Sequence, residues 1–289
     1  MTAKRFAWLV IVILIGFRSQ FAQITFHTST GEAHVDVLVT RKGSPVNNLK
    51  ASDFEVFDNG VRQKIEYAEF QQHEPINAIL VFDMSSSIQG ELLDHLKDAL
   101  HELLSDFSEK DRAALITFNQ TLVLGSPLTG NFELVKSALE QTQPSGNSSL
   151  RDACYAGMIL AKSGSELPLV IIFSDGRDTF SWLTGDMVLE TAKRNNSVVY
   201  AISTQRRPKK SFLNDLTSLT GGNLFEAEST GDLASAFLDA IREFRYRYLL
   251  AYTPEGVSEE GWHELEVRVK SKSVTVLYRP GYMRGASDK

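Results

Sequence analysis

The stretch Ala78-Ile79-Leu80-Val81-Phe82-Asp83-Met84-Ser85-Ser86-Ser87 decides how the rest of the chain is read. Five consecutive apolar residues bounded by polar ones suit a strand buried on both faces of a parallel sheet. In open α/β sheets, ligands bind outside the carboxyl ends of such strands. The pattern therefore sends one carboxylate and two hydroxyls to the edge where these folds do their chemistry. Oxygen donors of this kind suit a hard divalent cation, and Mg²⁺ in particular takes one or two carboxylates and keeps several waters. No catalytic group accompanies them in the motif.

Outward from this strand, apolar runs alternate with helix-length segments as far as Phe244. Strands are expected at Ala78–Phe82, Ala113–Phe118, Leu122–Leu124, Leu167–Phe173, Ser197–Ile202 and Asn223–Ala227. Helices are expected at Glu91–Phe107, Asn131–Gln141, Leu150–Lys162, Thr184–Arg194, Lys210–Thr220 and Gly231–Tyr246. In the first helix Leu92, Leu93, Leu96, Leu100, Leu103 and Leu104 recur at spacings of three and four, which gives one buried face. Alternation of this kind implies a doubly wound, mainly parallel sheet covered by helices on both sides.

The flanks read differently. His34 to Thr40 alternates, Lys42-Gly43-Ser44-Pro45 signals a turn, and Phe54-Glu55-Val56-Phe57 runs into Asp58-Asn59-Gly60. Asn-Gly between extended runs is a strong hairpin signal, so Val61 to Phe70 is expected to return as a strand. After the helical region, Tyr246–Tyr252, Trp262–Val269 and Val274–Tyr278 are β-like, and Leu265, Val267 and Val269 alternate with charged residues. Neither flank has enough strands to stand alone. The expectation is one small β-sandwich formed by both flanks, packed with Tyr246, Tyr248, Tyr252 and Trp262, with the α/β domain inserted between them.

Composition narrows the function classes. The 289 residues are 43% hydrophobic and 23% charged, with a formal net charge of −6. That is the profile of an ordinary globular protein. The first 22 residues hold Lys4, Arg5 and Arg18 and no acid, so the remainder is more acidic still. Nucleic acid is a poor partner for such a surface, because phosphate binding needs clustered Lys and Arg. Lys4-Arg5 followed by the apolar run Phe6–Phe17 has the form of an export signal, too short for a membrane span of about 20 residues. Cleavage after Ala22 and retention as an anchor both stay open, and an extracytoplasmic location, periplasmic or secreted, follows from either. Membrane contact is expected only through an uncleaved leader. Cys154 is the sole cysteine, which rules out an internal disulfide and reads as a small buried hydrophobe.

Three segments converge on the carboxyl edge: Asp83-Met84-Ser85-Ser86-Ser87, then Gly146-Asn147-Ser148-Ser149-Leu150-Arg151-Asp152, then Ile172-Phe173-Ser174-Asp175-Gly176. In order and spacing they resemble the metal-ion-dependent adhesion site of the von Willebrand factor type A (VWA) domain family. The flanks, from Val35 to Phe70 and from Arg245 to Met283, resemble an exported bacterial subgroup of VWFA-related proteins. The resemblance implies a leader over residues 1–22, β-sandwich parts over 23–75 and 247–289, and a VWA domain over 76–246.

It further implies that Asp83, Ser85, Ser87, Ser148 and Asp175 ligate the metal: Mg²⁺, with Mn²⁺ or Ca²⁺ as alternatives. Asp175 would bind directly or through water. Gly146-Asn147-Ser148 stands where the family usually has Gly-Gly-Thr, and Ser149 is the alternative to Ser148. One coordination position is left for a carboxylate from a protein partner, whose engagement is coupled to movement of the loops and the last helix. Two carboxylates bring a divalent ion near neutrality while keeping its attraction for an incoming acid. Asp152 reads equally as a ligand, as a hydrogen-bonding support, or as a helix cap.

Other signals are weaker. The six histidines form no H-E-x-x-H pair, and no nucleophile elbow or phosphate-binding glycine loop occurs. Gln205–Lys210 is a basic run that reads as a solvated loop. The expected function is a non-enzymatic binding module. The alternatives are a metal-dependent hydrolase, with Asp152 or Asp178 as its base, and a scaffold whose metal site is vestigial.

Overall fold

A computed structural model describes residues 31–162, 168–204 and 211–285. The expected leader and the Gln205–Lys210 run lie outside the described residues. From Gly31 onward the chain forms one compact unit.

The first flank supplies β1 (Ala33–Arg41), β2 (Ser44–Pro45), β3 (Phe54–Asp58), β4 (Val61–Gln63) and β5 (Ile65–Phe70). Next come β6 (Asn77–Asp83), α1 (Glu91–Ser105), β7 (Arg112–Phe118), β8 (Leu122–Thr129), α2 (Phe132–Glu140), α3 (Leu150–Lys162) and β9 (Leu169–Phe173). They are followed by α4 (Gly185–Lys193), β10 (Val198–Ser203), α5 (Phe212–Thr220), β11 (Leu224–Glu226) and α6 (Leu233–Arg245). The second flank is β12 (Arg247–Tyr252), β13 (Gly261–Val269), β14 (Thr275–Tyr278) and β15 (Gly281–Arg284).

The central sheet has the order β11-β10-β9-β6-β7-β8, parallel throughout except for β8, which runs antiparallel on β7. Side chains alternate across it. Leu80, Phe82, Ile171 and Phe173 face a core capped by α1 and α6, where the Phe237 ring lies 5.4 Å from that of Phe82. Ile79, Val81, Val170 and Ile172 face the opposite core, with Cys154 and Met158 of α3 and Leu216 of α5. Gly157 lets α3 approach this face: a Cβ there would stand 2.7 Å from Val81 Cγ2. Connections leave β6 towards β7 and leave β9 towards β10. The winding therefore reverses between β6 and β9, and a crevice opens there at the strands' carboxyl ends. Asp83 ends one of these strands and Asp175 follows the other.

The flanks pair with each other. One sheet runs β14-β1-β12-β5, with β2 on β1, and another runs β15-β13-β3-β4. Val35, Val37, Tyr248 and Leu250 of the first share an apolar cluster with Phe54, Val56, Leu265 and Val267 of the second. Tyr252 joins this cluster, and Tyr246 tilts against Phe70 at 5.8 Å. Trp262 lies instead under Lys193 Nζ, 5.7 Å from the ring centroid.

Three elements depart from the sequence expectation. The run Val61–Phe70 breaks after Gln63, so that β4 pairs with β3 while β5 crosses to β12. The Asn59-Gly60 turn itself is present, with φ of 47° and 77°, the two positive values a tight hairpin needs. β8 continues past Leu124 to Thr129, carrying Gly125 and Pro127 on an edge strand whose pairing register shifts twice. β15 was not expected at all.

Asp58 is fully buried beneath these sheets. Its Oδ2 accepts from Tyr252 OH (2.9 Å) and Tyr282 OH (2.7 Å), and His263 Nδ1 lies 2.7 Å from Oδ1. Removing such an acceptor strands each buried partner at a cost of about 1–3 kcal/mol. Asp58→Ala is therefore expected to lower unfolding stability by ~3 kcal/mol in urea titration, with Asp58→Asn losing less.

Candidate metal site at the sheet edge

The site begins where β6 runs out of sheet. Asp83 is the last residue of that strand, and its side chain is fully buried. Its Oδ1 accepts the Ser85 backbone N–H at 2.9 Å, which turns the chain sharply back. Its Oδ2 accepts two hydroxyls, Ser148 Oγ at 3.0 Å and Ser174 Oγ at 2.7 Å. A single carboxylate thus gathers all three segments singled out in the sequence. Ser85, 5% exposed, reaches Ser87 Oγ at 3.1 Å, and Ser87 stands on the solvent side.

Backbone bonds hold the loops in this arrangement. Ser86 N donates to Gly146 O and Ser145 N to Met84 O, at 3.1 and 2.9 Å. Ser148 is a hub: its N–H donates to Thr179 Oγ1, and its carbonyl accepts from both Thr179 N and Phe180 N. Gly146 and Gly176, with φ of 73° and 75°, supply left-handed turns that other residues rarely adopt. Asp175 is 3% exposed; its Oδ1 accepts the Arg177 N–H at 2.9 Å, and its Oδ2 lies 3.8 Å from Arg177 Nε.

Each expected residue therefore has a definite location. Asp83, Ser85, Ser87 and Ser148 form one hydrogen-bonded group, and Asp175 stands at the end of the neighbouring strand. Of the two middle-loop candidates, it is the Ser148 hydroxyl that reaches Asp83, whereas the Ser149 N–H donates to Asn119 O. Asp152 holds a loop: its oxygens accept Trp182 N at 3.0 Å and Leu183 N at 2.9 Å. Asp178 pairs with Arg151 Nε at 3.0 Å. Ser174 has no role assigned by the sequence motif, although its position directly after β9, beside the end of β6, places it next to Asp83. Thr179 and Ser181 gave no sequence signal.

The electrostatics suit a cation. The hydrogen bonds to the Asp83 carboxylate come from a backbone N–H and from neutral serine hydroxyls. A buried carboxylate without a cationic side chain is costly to ionise. Burial accordingly pushes Asp83 above the ordinary carboxyl value of 3.8, and the bonds from Ser85, Ser174 and Ser148 offset only part of that. Among the described residues, no three His, Cys, Asp or Glu side chains converge on a point that could hold a metal. The side chains gathered at Asp83 offer carboxylate and hydroxyl oxygens, the hard-donor chemistry that suits Mg²⁺ or Ca²⁺ better than the N/S chemistry of structural zinc.

The family model described as von Willebrand factor type A domain matches residues 77–239. Inter-alpha-trypsin inhibitor heavy chain H2 of Sus scrofa is 24% identical over 194 residues, covering 63% of this chain and 21% of that protein. Heavy chain H1 of Bos taurus is 28% identical over 132 residues, covering 40% and 14% respectively. The chain thus spans about a fifth or less of the length of these curated relatives. Proximal thread matrix protein 1 from the mussel byssus, solved with a zinc-occupied MIDAS motif, superposes with a TM-score of 0.50 at 18% identity. The match covers 61% of this chain and 50% of that one, and supports the fold.

The buried charge has a measurable consequence. In metal-free buffer at pH 7, Asp83→Asn is expected to raise the thermal midpoint by about 5 °C, since it removes an uncompensated buried charge. The native pKa lies above the unfolded one, so the wild-type penalty is full above the native value and disappears as pH falls below the unfolded 3.8. Differential scanning calorimetry in EDTA across pH 4–8 should show the gain shrinking towards the acid end.

Proposed function

The chain belongs to the von Willebrand factor type A domain family, and from that premise we propose that it is a non-enzymatic binding module bridging to its partner through a divalent cation. The observation that carries the reading is the buried Asp83 carboxylate, bonded by neutral donors alone, at the reversal point of the sheet. Asp83, Ser85, Ser87, Ser148 and Asp175 are the residues that would hold the ion, with Mg²⁺ favoured by their oxygen-only chemistry. When bound, the ion supplies a positive centre that attracts an acidic side chain of a protein partner. Ser174 and Thr179 act behind these ligands: Ser174 orients Asp83, and Thr179 fixes Ser148.

The hydrolase alternative lacks support. Metal-assisted hydrolysis needs a base beside the ion, and both local candidates are otherwise engaged. Asp152 holds the Trp182–Leu183 backbone and Asp178 holds Arg151.

We also propose that residues 76–246 form the binding domain. Residues 23–75 and 247–289 would form a small β-sandwich that carries it, and residues 1–22 would direct export to an extracytoplasmic location. The cross-pairing of β1 with β12 and of β3 with β13, together with the shared apolar cluster, supports the sandwich. The basic, then apolar, start of the chain supports export. Among the described residues, no helix is long and apolar enough to cross a membrane.

Isothermal titration of chelator-stripped protein with MgCl₂ tests the metal reading. Saturable one-site binding is expected, weakened about 100-fold or more in Asp83→Ala and in Asp175→Ala. Absence of binding in the wild type, or wild-type affinity retained in both variants, would leave the vestigial scaffold as the better account.

A further inference from the structure

The segment that follows Asp175 carries a feature which metal binding leaves unused. Trp182 is 90% exposed and Phe180 47% exposed, yet both stand on backbone that is fixed at several points. Phe180 N donates to Ser148 O at 3.0 Å, and Trp182 N donates to Asp152 Oδ2 at 3.0 Å. Between them, Ser181 Oγ accepts the N–H groups of Arg151 and Asp152 at 3.0 and 3.2 Å. An indole held in water on fixed backbone adds little to the core. The backbone that carries it has little freedom left to lose on docking, which suits a binding anchor.

Its position ties it to the candidate metal loops. Ser148, whose carbonyl holds Phe180, is also the residue whose hydroxyl reaches Asp83. Arg177, with its side chain 65% exposed, lies in sequence between Asp175 and the two aromatics. The segment therefore carries an exposed cation and exposed aromatic rings within a few residues of one another. Charge complementarity asks for an acidic ligand, and the aromatic surface asks that the acid have an apolar neighbour.

We propose that Phe180 and Trp182 select the partner, which docks as a peptide segment whose acidic residue is flanked, within one or two positions, by an aromatic or large aliphatic residue. This rests on the metal-bridged reading above: the carboxylate gives cation dependence, and the apolar neighbour gives selectivity. Substituting an exposed side chain leaves the core intact, so Trp182→Ala separates the two contributions.

The probe is an array of synthetic peptides, each with one Glu in a Gly/Ser background and one flanking position set to Ser, Leu, Phe or Trp. It is incubated with the full chain in MgCl₂ or in EDTA. Capture is expected to need Mg²⁺ and to be about tenfold stronger for the Leu, Phe and Trp series than for Ser. Trp182→Ala should erase that gap while its Mg²⁺ isotherm stays at the wild-type value, and Phe180→Ser should narrow it. The proposal is overturned, with the metal reading left standing, if Trp182→Ala keeps the gap or if Mg²⁺-loaded wild type captures all Glu peptides alike or none. Capture indifferent to EDTA, or a wild type with no Mg²⁺ isotherm, overturns the metal reading and the proposal together.

Discussion

A buried carboxylate at the end of β6 organises the functional edge of this protein. Asp83 bonds to Ser148, 65 residues along the chain, and to Ser174, 91 residues along. Two loops distant in sequence therefore meet at one side chain, and their closure entropy is offset by the parallel sheet that already holds β6 beside β9. The sheet supplies rigidity, because both faces of these strands lie in packed cores. The carboxylate supplies direction, because an acceptor buried at that point must be satisfied by whatever the loops bring. Neutral hydroxyls satisfy its hydrogen bonds but leave its charge uncompensated. The folded loops are thus complementary to a cation by electrostatics as well as by shape.

The same logic explains why Ser148 is central. Its hydroxyl faces Asp83, its carbonyl receives two N–H groups from the third loop, and its own N–H is taken by Thr179. Every polar atom of the residue joins the first loop to the third. A shift of the middle loop would break bonds on both sides, so the three loops can move only together. The aromatic surface at Phe180 and Trp182 is carried on that same network.

Much of this was legible in the sequence, for identifiable reasons. β6 and β9 are apolar runs without interruption because both faces are buried, and α1 repeats leucine on one face because only one is. Asp83 and Asp175 could be found because one follows such a run directly and the other comes one residue later, after Ser174. What stayed hidden depended on partners that local pattern does not encode. The Asn59-Gly60 turn signals one returning strand, and the polar run Arg62-Gln63-Lys64 does not by itself say that the chain crosses there from one sheet to the other. Gly125 and Pro127 disguise β8, which tolerates them only as an edge strand. Asp152 stood open among ligation, support and capping because the Trp182–Leu183 backbone it holds is distant in sequence.

Arg247 is hidden in the sequence for a related reason: a cation after a helix ordinarily reads as a solvated partner of the helix terminus. Here it is fully buried, donating to Tyr200 OH at 2.8 Å and to Gly221 O at 2.5 Å. Asp36 of β1 and Glu243 of α6 are the opposite charges nearby, and burial pushes both carboxyls above their ordinary values. The residue lies one position beyond Tyr246, the C-cap of α6, and opens β12. Drawing the C-terminal end of α6 along its axis would strip a buried guanidinium from its acceptors, a loss of several kcal/mol. The other end of the helix is held by the polar contact of His95 Nδ1 with Thr230 Oγ1, at 2.6 Å. The C-terminal end of α6 is thus anchored where the helix joins the flanking sheets, and Leu233 and Phe237 near its N-terminal end are buried in the core beside Phe82 and Phe173.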